Sequence, residues 1–277
     1  MKARLFSYNY ADTFIHRLSG LSKMVCFLFL TFASMFSYDI RVVLFILLFS
    51  AWLLVVSRIQ FQQIRLMVYY VLIFLLVNAV ITFFFSPEYG VEIYGSRTVL
   101  LKLFGRYVLT AEQLFYQITK FFKYASVIPL GMIFLFTTNP SEFASSLNGI
   151  GVNYKISFAV ALTLRYFPDI QRIYIDISQA QQARGLELSA KAPLTDRFKN
   201  SLLIVIPLIF STLDRIDVIT NAMDLRGFGK KKKRTWYIRK PLDRNDFIAM
   251  AISALIFALS LAVSAFINHS RFYNPFI

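Results

Sequence analysis

Leu66–Phe85 is a run of about 20 residues without a charged side chain, in which Asn78 is the one amide. As a helix at about 1.5 Å per residue it reaches roughly 30 Å, the thickness of the hydrocarbon core of a bilayer. A helix apolar all round for that distance has no partner in a soluble fold, so the segment predicts a transmembrane span. Four further runs read the same way: Met24–Phe36, Arg41–Val56, Phe115–Phe136 and Phe247–Ile267. The first covers only about 20 Å and must borrow flanking residues to cross. Lys120 and Lys123 leave the outer boundary of the fourth open. The charged share is 16%, against about a quarter in soluble domains, and thirty phenylalanines cannot all hide in a soluble core. The expected fold is an all-α integral membrane protein with about five transmembrane helices and a large cytoplasmic-side helical region.

The charges set an orientation. The chain carries 30 Lys+Arg against 15 Asp+Glu. With the N-terminus inside, four basic residues precede Met24, two lie between the second and third spans, and 17 lie between Thr137 and Asp246. Reversal would send the Lys230–Arg234 cluster outward, against the positive-inside rule. Residues 1–136 are therefore expected to hold four spans, 137–246 a cytoplasmic-side region, and 247–277 the last span with an outward C-terminus. The first 23 residues lack a continuous apolar core and read as an uncleaved cytoplasmic start. The basic balance thus reflects topology rather than nucleic-acid binding. Cys26 is the only cysteine, which excludes an intramolecular disulfide, and His16 and His269 lie near opposite ends.

A pattern recurs inside the basic region. Ile177, Ala180, Ala183, Arg184 and Gly185 are matched 42 residues later by Ile219, Ala222, Leu225, Arg226 and Gly227. Each arginine follows its isoleucine by seven residues, close to two helical turns, and so lies near the line of an apolar face. Each glycine stands where a helix can end in a left-handed residue. Upstream, Val152–Phe167 is apolar, Pro168 is expected to break or kink it, and Pro168–Arg184 is amphipathic through Ile170, Ile173, Tyr174, Ile177 and Ala180. Asn200–Leu213 carries Pro207 at its middle and leads into amphipathic Asp214–Arg226. The expectation is two elbowed helix pairs, each running from apolar to polar and each ending in Arg-Gly. One copy alone reads as a helix-ending cation over a glycine cap. Recurrence in fixed register favours docking into two equivalent sockets.

Other candidates are weaker. Asp214, Asp217 and Asp224 suggest a carboxylate site, but Arg215 and the basic surroundings favour solvated ion pairs. Lys230–Arg234 reads as an inner-leaflet anchor. No metal-binding, nucleophile-elbow or phosphate-loop motif appears, so neither a catalytic nor a metal site is expected. Thr137-Thr138-Asn139-Pro140-Ser141-Glu142 reads as a turn into a helix with Asn139 or Ser141 as cap. The stretch from about Ser86 to Glu112 has room for an interfacial helix and shows no motif. The two rivals to a docking scaffold are an autonomous carrier gated by cytoplasmic helices and an integral membrane enzyme. The first needs ionisable residues along a path, the second a convergent acid, base or metal set.

The motifs taken in order resemble the transmembrane coupling subunit, the T component (EcfT- or CbiQ-like), of energy-coupling factor transporters, which are relatives of ABC transporters. Phe14-Ile15-His16-Arg17-Leu18 resembles the family's opening, although Ser19-Gly20-Leu21 stands where Asp-Pro-Arg commonly follows. Phe136-Thr137-Thr138-Asn139-Pro140-Ser141-Glu142 resembles its Thr-Thr-x-Pro turn, and Leu164-Arg165-Tyr166-Phe167-Pro168 its proline kink. Ala180-Gln181-Gln182-Ala183-Arg184-Gly185 and Ala222-Met223-Asp224-Leu225-Arg226-Gly227 resemble its two coupling motifs. The resemblance implies a non-enzymatic scaffold in a bacterial cell membrane. It implies two cytoplasmic ABC-type ATPases, each receiving one arginine in a groove, and a separate substrate-binding membrane subunit (S component) for vitamin or metal-ion uptake. Ala183, Arg184, Gly185, Leu225, Arg226 and Gly227 would form the coupling ends, with Pro168 and Pro207 as elbows. No cofactor is implied on this chain; ATP and magnesium belong to the ATPases.

Overall fold

The computed structural model describes residues 13–59, 61–102, 107–186, 193–231, 235–236, 240–268 and 270–276. His269 and Lys232–Arg234 lie outside the described residues. In chain order the helices are α1 Phe14–Arg17, α2 Gly20–Phe36, α3 Ile40–Val56, α4 Phe61–Phe85, α5 Tyr89–Tyr94, α6 Ala111–Thr137, α7 Pro140–Gly149, α8 Tyr154–Ala183, α9 Leu194–Leu225 and α10 Arg244–Ala262. A π-helical turn, Val263–Ile267, continues α10. Strands β1 Val99–Lys102 and β2 Val108–Thr110 form an antiparallel hairpin between α5 and α6. The chain divides into two compact units, Met1–Asn139 with Lys240–Ile277, and Pro140–Arg239.

All five apolar runs are helical, and the protein is an all-α membrane protein. Among the described residues, three helices are long and apolar enough to cross a bilayer: Arg65–Phe85, Ala111–Thr137 and Arg244–Ile267. The 17-residue α2 and α3 are shorter, about 26 Å each. Helix α2 begins four residues before the apolar run. Ser19 caps it by accepting from the Ser22 amide, and its first turn is buried rather than solvated. The hairpin was not legible in the sequence, because two short strands have little amphipathic signature of their own.

In the first unit α6 is central and packs on α2, α3, α4 and α5, while α10 packs on α2. Leu30, Ala33, Ile46 and Leu130 form one buried cluster. Small polar side chains close the backbones together, as expected where lipid removes the hydrophobic drive between helices. The Ser34 and Ser126 hydroxyls meet, Ser50 donates to the Ser126 carbonyl at 3.4 Å, and Ser260 donates to the Ala33 carbonyl at 3.0 Å. In contrast, α4 turns most of its apolar side chains outward; Phe74 is 61% and Phe85 81% exposed. Those faces have the character of lipid contacts.

Asp39 caps α3 and is fully buried, held by Arg41 in a two-pronged pair (3.1 and 2.8 Å) and by the Asn268 amide at 3.0 Å. Burial pushes its carboxyl up, and the bonds from Arg41 and Asn268 more than offset this, holding it below the usual carboxylate range. A depressed folded-state value means stability present above the unfolded value of about 3.9 and lost as pH falls through the folded one. The thermal midpoint of the wild-type protein should therefore exceed that of Asp39→Asn at pH 7. The two should converge toward pH 3; a constant gap would refute the ionic role.

The second unit contains α7, α8 and α9. Of the break or kink expected at Pro168, the break does not occur. Pro168 lies inside the uninterrupted 30-residue α8, and Pro207 inside the 32-residue α9. Each expected helix pair is one continuous helix with its proline inside, roughly 45 Å along its turns. A proline deletes one ladder bond and crowds one carbonyl, and the flanking turns continue the helix on both sides of it.

Candidate functional site

The two Arg-Gly motifs end α8 and α9 in the same way. Arg184 is the C-cap of α8 and Arg226 the C-cap of α9, with nearly equal backbone angles (φ −84, ψ 7 and φ −82, ψ 6). The Arg184 amide donates to the Ala180 carbonyl at 3.3 Å and the Arg226 amide to the Ala222 carbonyl at 3.2 Å, so the recurring alanine and arginine share the last helical bond. Gly185 and Gly227 then take left-handed angles, φ +92 and +67. The Gly185 amide bonds the Gln182 carbonyl and the Leu186 amide the Gln181 carbonyl. The Gly227 amide bonds the Asp224 carbonyl and the Phe228 amide the Met223 carbonyl. These paired bonds are the Schellman motif, which only a residue tolerant of positive φ closes cheaply. The apolar residue after each glycine, Leu186 or Phe228, completes it; the sequence signal was present as Arg-Gly-Leu and Arg-Gly-Phe.

The tips face outward. Ile177 and Ile219 are half-buried, whereas Ala180, Ala183, Arg184, Ala222, Leu225 and Arg226 are exposed. Leu225 is 91% exposed, an apolar side chain left beside a guanidinium at a helix end. Proline positions and tips do not cluster into one site: Pro168 and Pro207 sit in helix interiors, far along the chain from Arg184 and Arg226.

Helices α8 and α9 pack together. Tyr154 and Phe158, at the start of α8, meet Phe228 just past the end of α9, with ring centroids 5.8 and 4.8 Å apart. Midway, Asp169 of α8 faces Arg215 of α9 at 3.6 Å, and that guanidinium lies 6.0 Å from the Tyr166 ring. The two contacts place early α8 against late α9, so the helices are antiparallel. Arg184 and Arg226 accordingly mark opposite ends of the pair. From the level of Phe158 to Arg184 is about 26 residues, on the order of 40 Å. Arg215 thus pairs across the helices rather than with its neighbours Asp214 and Asp217, which are exposed, as is Asp224.

A carrier needs ionisable residues along its path, and apart from Lys120 and Lys123 the clear spans offer little. Both are buried in α6, and both are engaged in holding helices together. Lys123 donates to the Met35 carbonyl, among the last of α2, with its ammonium 3.3 Å from the centroid of the Tyr38 ring. At the other end of the same pair, Lys23 of α2 donates to the Thr137 carbonyl, the last of α6, at 2.7 Å. Each lysine caps the partner helix where unbonded carbonyls and the negative end of the dipole lie. Lys120 donates to Thr82 of α4 at 2.6 Å. These cations form a clasp rather than a path, and the sequence carried no sign of the carbonyl partners.

Residues 11–237 match the family described as CbiQ, cobalt transport protein. The chain belongs to that family. Among its relatives, the energy-coupling factor transporter transmembrane protein EcfT of Clostridium kluyveri is 25% identical over 262 residues, covering 92% of this chain and 94% of its own. The EcfT protein of Exiguobacterium sibiricum is 24% identical over 80% of this chain and 84% of its own. A putative ABC transporter ATP-binding protein of Bifidobacterium longum is 27% identical over 91% of this chain, which covers 32% of that longer protein. The chain is thus a transmembrane component of an energy-coupling factor transporter. Within such a transporter it is a non-catalytic subunit, and ATP hydrolysis belongs to partner subunits.

Proposed function

We propose that this chain transmits the conformational cycle of two cytoplasmic ABC-type ATPases to a separate substrate-binding membrane subunit, with Arg184 and Arg226 as the two points of attachment. The observation that carries this reading is the pair of matching Schellman ends at opposite ends of one antiparallel helix pair. Two alike, outward-facing ends on the order of 40 Å apart suit two alike partners side by side better than one groove. A guanidinium supplies a permanent charge and a rigid fork of donors for carboxylates or carbonyls. Leu225, and Ala183 in the equivalent place, add an apolar contact beside it. The Bifidobacterium relative supports the pairing with ATPases, since a protein bearing an ATP-binding name contains a segment similar to this chain. ATP and magnesium are proposed to bind those partners. The cargo is proposed as a vitamin or a metal ion, the latter in keeping with the family's description.

The reading requires both tips on the cytoplasmic side, hence N-terminus in and C-terminus out. A tag after Ile277 should be reachable from outside intact cells, and access from the cytoplasm alone would refute that orientation. ATPase subunits co-expressed from the same cell should co-purify with the tagged chain. A chain that purifies without them from membranes that contain them would sink the coupling role.

A further inference from the structure

We infer that Phe158, backed by Tyr154 and Trp236, is a positioning residue that holds the Arg226 tip against the base of α8. The inference rests on the proposal that Arg226 engages an ATPase. Phe228 is the residue that completes the α9 Schellman turn, two positions after Arg226. Its ring packs on Phe158 at 4.8 Å and on the buried Tyr154 at 5.8 Å. Phe158 in turn meets Trp236 at 6.5 Å, and the Trp236 indole donates to the Asn148 side-chain oxygen at 3.1 Å. Asn148 also donates to the Val152 carbonyl at 2.9 Å, closing the corner between α7 and α8. Gly229, at φ +89, lets the chain double back beside Lys155.

The sequence of contacts runs from the helix cap through four aromatic rings to a hydrogen-bonded corner. A 32-residue helix carrying a load at its last residue sways unless its end is fixed sideways. This bracket fixes it to α7 and the first turn of α8. A tip held in its bound orientation loses less freedom on docking, so its partner binds more tightly. Load taken at Arg226 also enters α8 at its base, not only α9 along its axis. Phe158 does not touch the partner; it acts through Arg226.

The test is a double-mutant cycle on the full-length chain in nanodiscs, titrated with the ATPase subunits that co-purify with the wild type. Phe158→Ala should weaken their binding about fivefold, and Phe158→Tyr should restore it. In an Arg226→Ala background the Phe158→Ala effect should vanish, whereas in an Arg184→Ala background it should persist in full. Equal losses in both backgrounds would show a general structural role and overturn the inference, as would no loss with Phe158→Ala. If that variant does not fold, Trp236→Phe keeps the ring, removes the bond to Asn148, and should show the same background dependence. Should Arg226→Ala alone leave binding unchanged, the docking proposal itself falls, a result separate from failure of the cycle.

Discussion

Replacing Arg184 and Arg226 together by glutamate should abolish association of the ATPase subunits, while the chain should still insert in the membrane with its helices intact. Both side chains are exposed, so neither substitution buries a charge or empties a core position. Surface changes of this kind are usually within about 0.5 kcal/mol, with at most about 1 kcal/mol more from an acid at a helix C-terminus. Binding responds on another scale. Losing one partner of a desolvated, hydrogen-bonded charge pair costs about 2–5 kcal/mol, and reversal adds repulsion to the loss. Two such sites together remove most of a micromolar or nanomolar interface. Each single reversal should leave a weakened complex held by the other tip. Arg172→Glu, also exposed and in the middle of α8, should leave association unchanged. Normal co-purification of ATPases with the double variant would sink the docking proposal.

Much of this was legible in the sequence, and the reasons are local. An apolar run such as Leu66–Phe85 has one stable outcome in a bilayer, a helix, because no water is present to satisfy its backbone. The Arg-Gly repeat was legible because a left-handed C-cap is a one-residue decision made by glycine. The prolines were legible only as points of a break or kink; Pro168 and Pro207 each lie inside a single helix whose turns continue on both sides. What stayed hidden depends on residues distant in the chain. That Lys23 would find Thr137, or Lys123 the end of α2, requires knowing that α2 and α6 lie side by side. The aromatic bracket is hidden for the same reason, since Phe158 and Phe228 are brought together by the antiparallel packing of α8 on α9. The antiparallel sense of that pair also decides that two similar motifs face opposite ways, which no periodicity could reveal.

The lysine clasp makes the other large prediction, and it separates a scaffold from a carrier. Lys123→Met keeps most of the side-chain length but leaves the Met35 carbonyl without its donor and removes the cation from the Tyr38 ring. A buried acceptor stripped of its partner costs about 1–3 kcal/mol, and a partly desolvated cation–π contact about 2 kcal/mol. Lys23→Met does the same to the Thr137 carbonyl at the opposite end of the α2–α6 contact. Each variant should unfold in detergent at a clearly lower temperature than the wild type. The double variant should show roughly the sum, because the two sites lie at opposite ends of the α2–α6 contact. Lys123→Glu should be worse than Lys123→Met, since it sets a carboxylate against the negative end of α2. If the lysines instead lined a transport path, Lys123→Met would leave the unfolding temperature unchanged. An unchanged midpoint would overturn the clasp and return the intramembrane cations to the carrier reading.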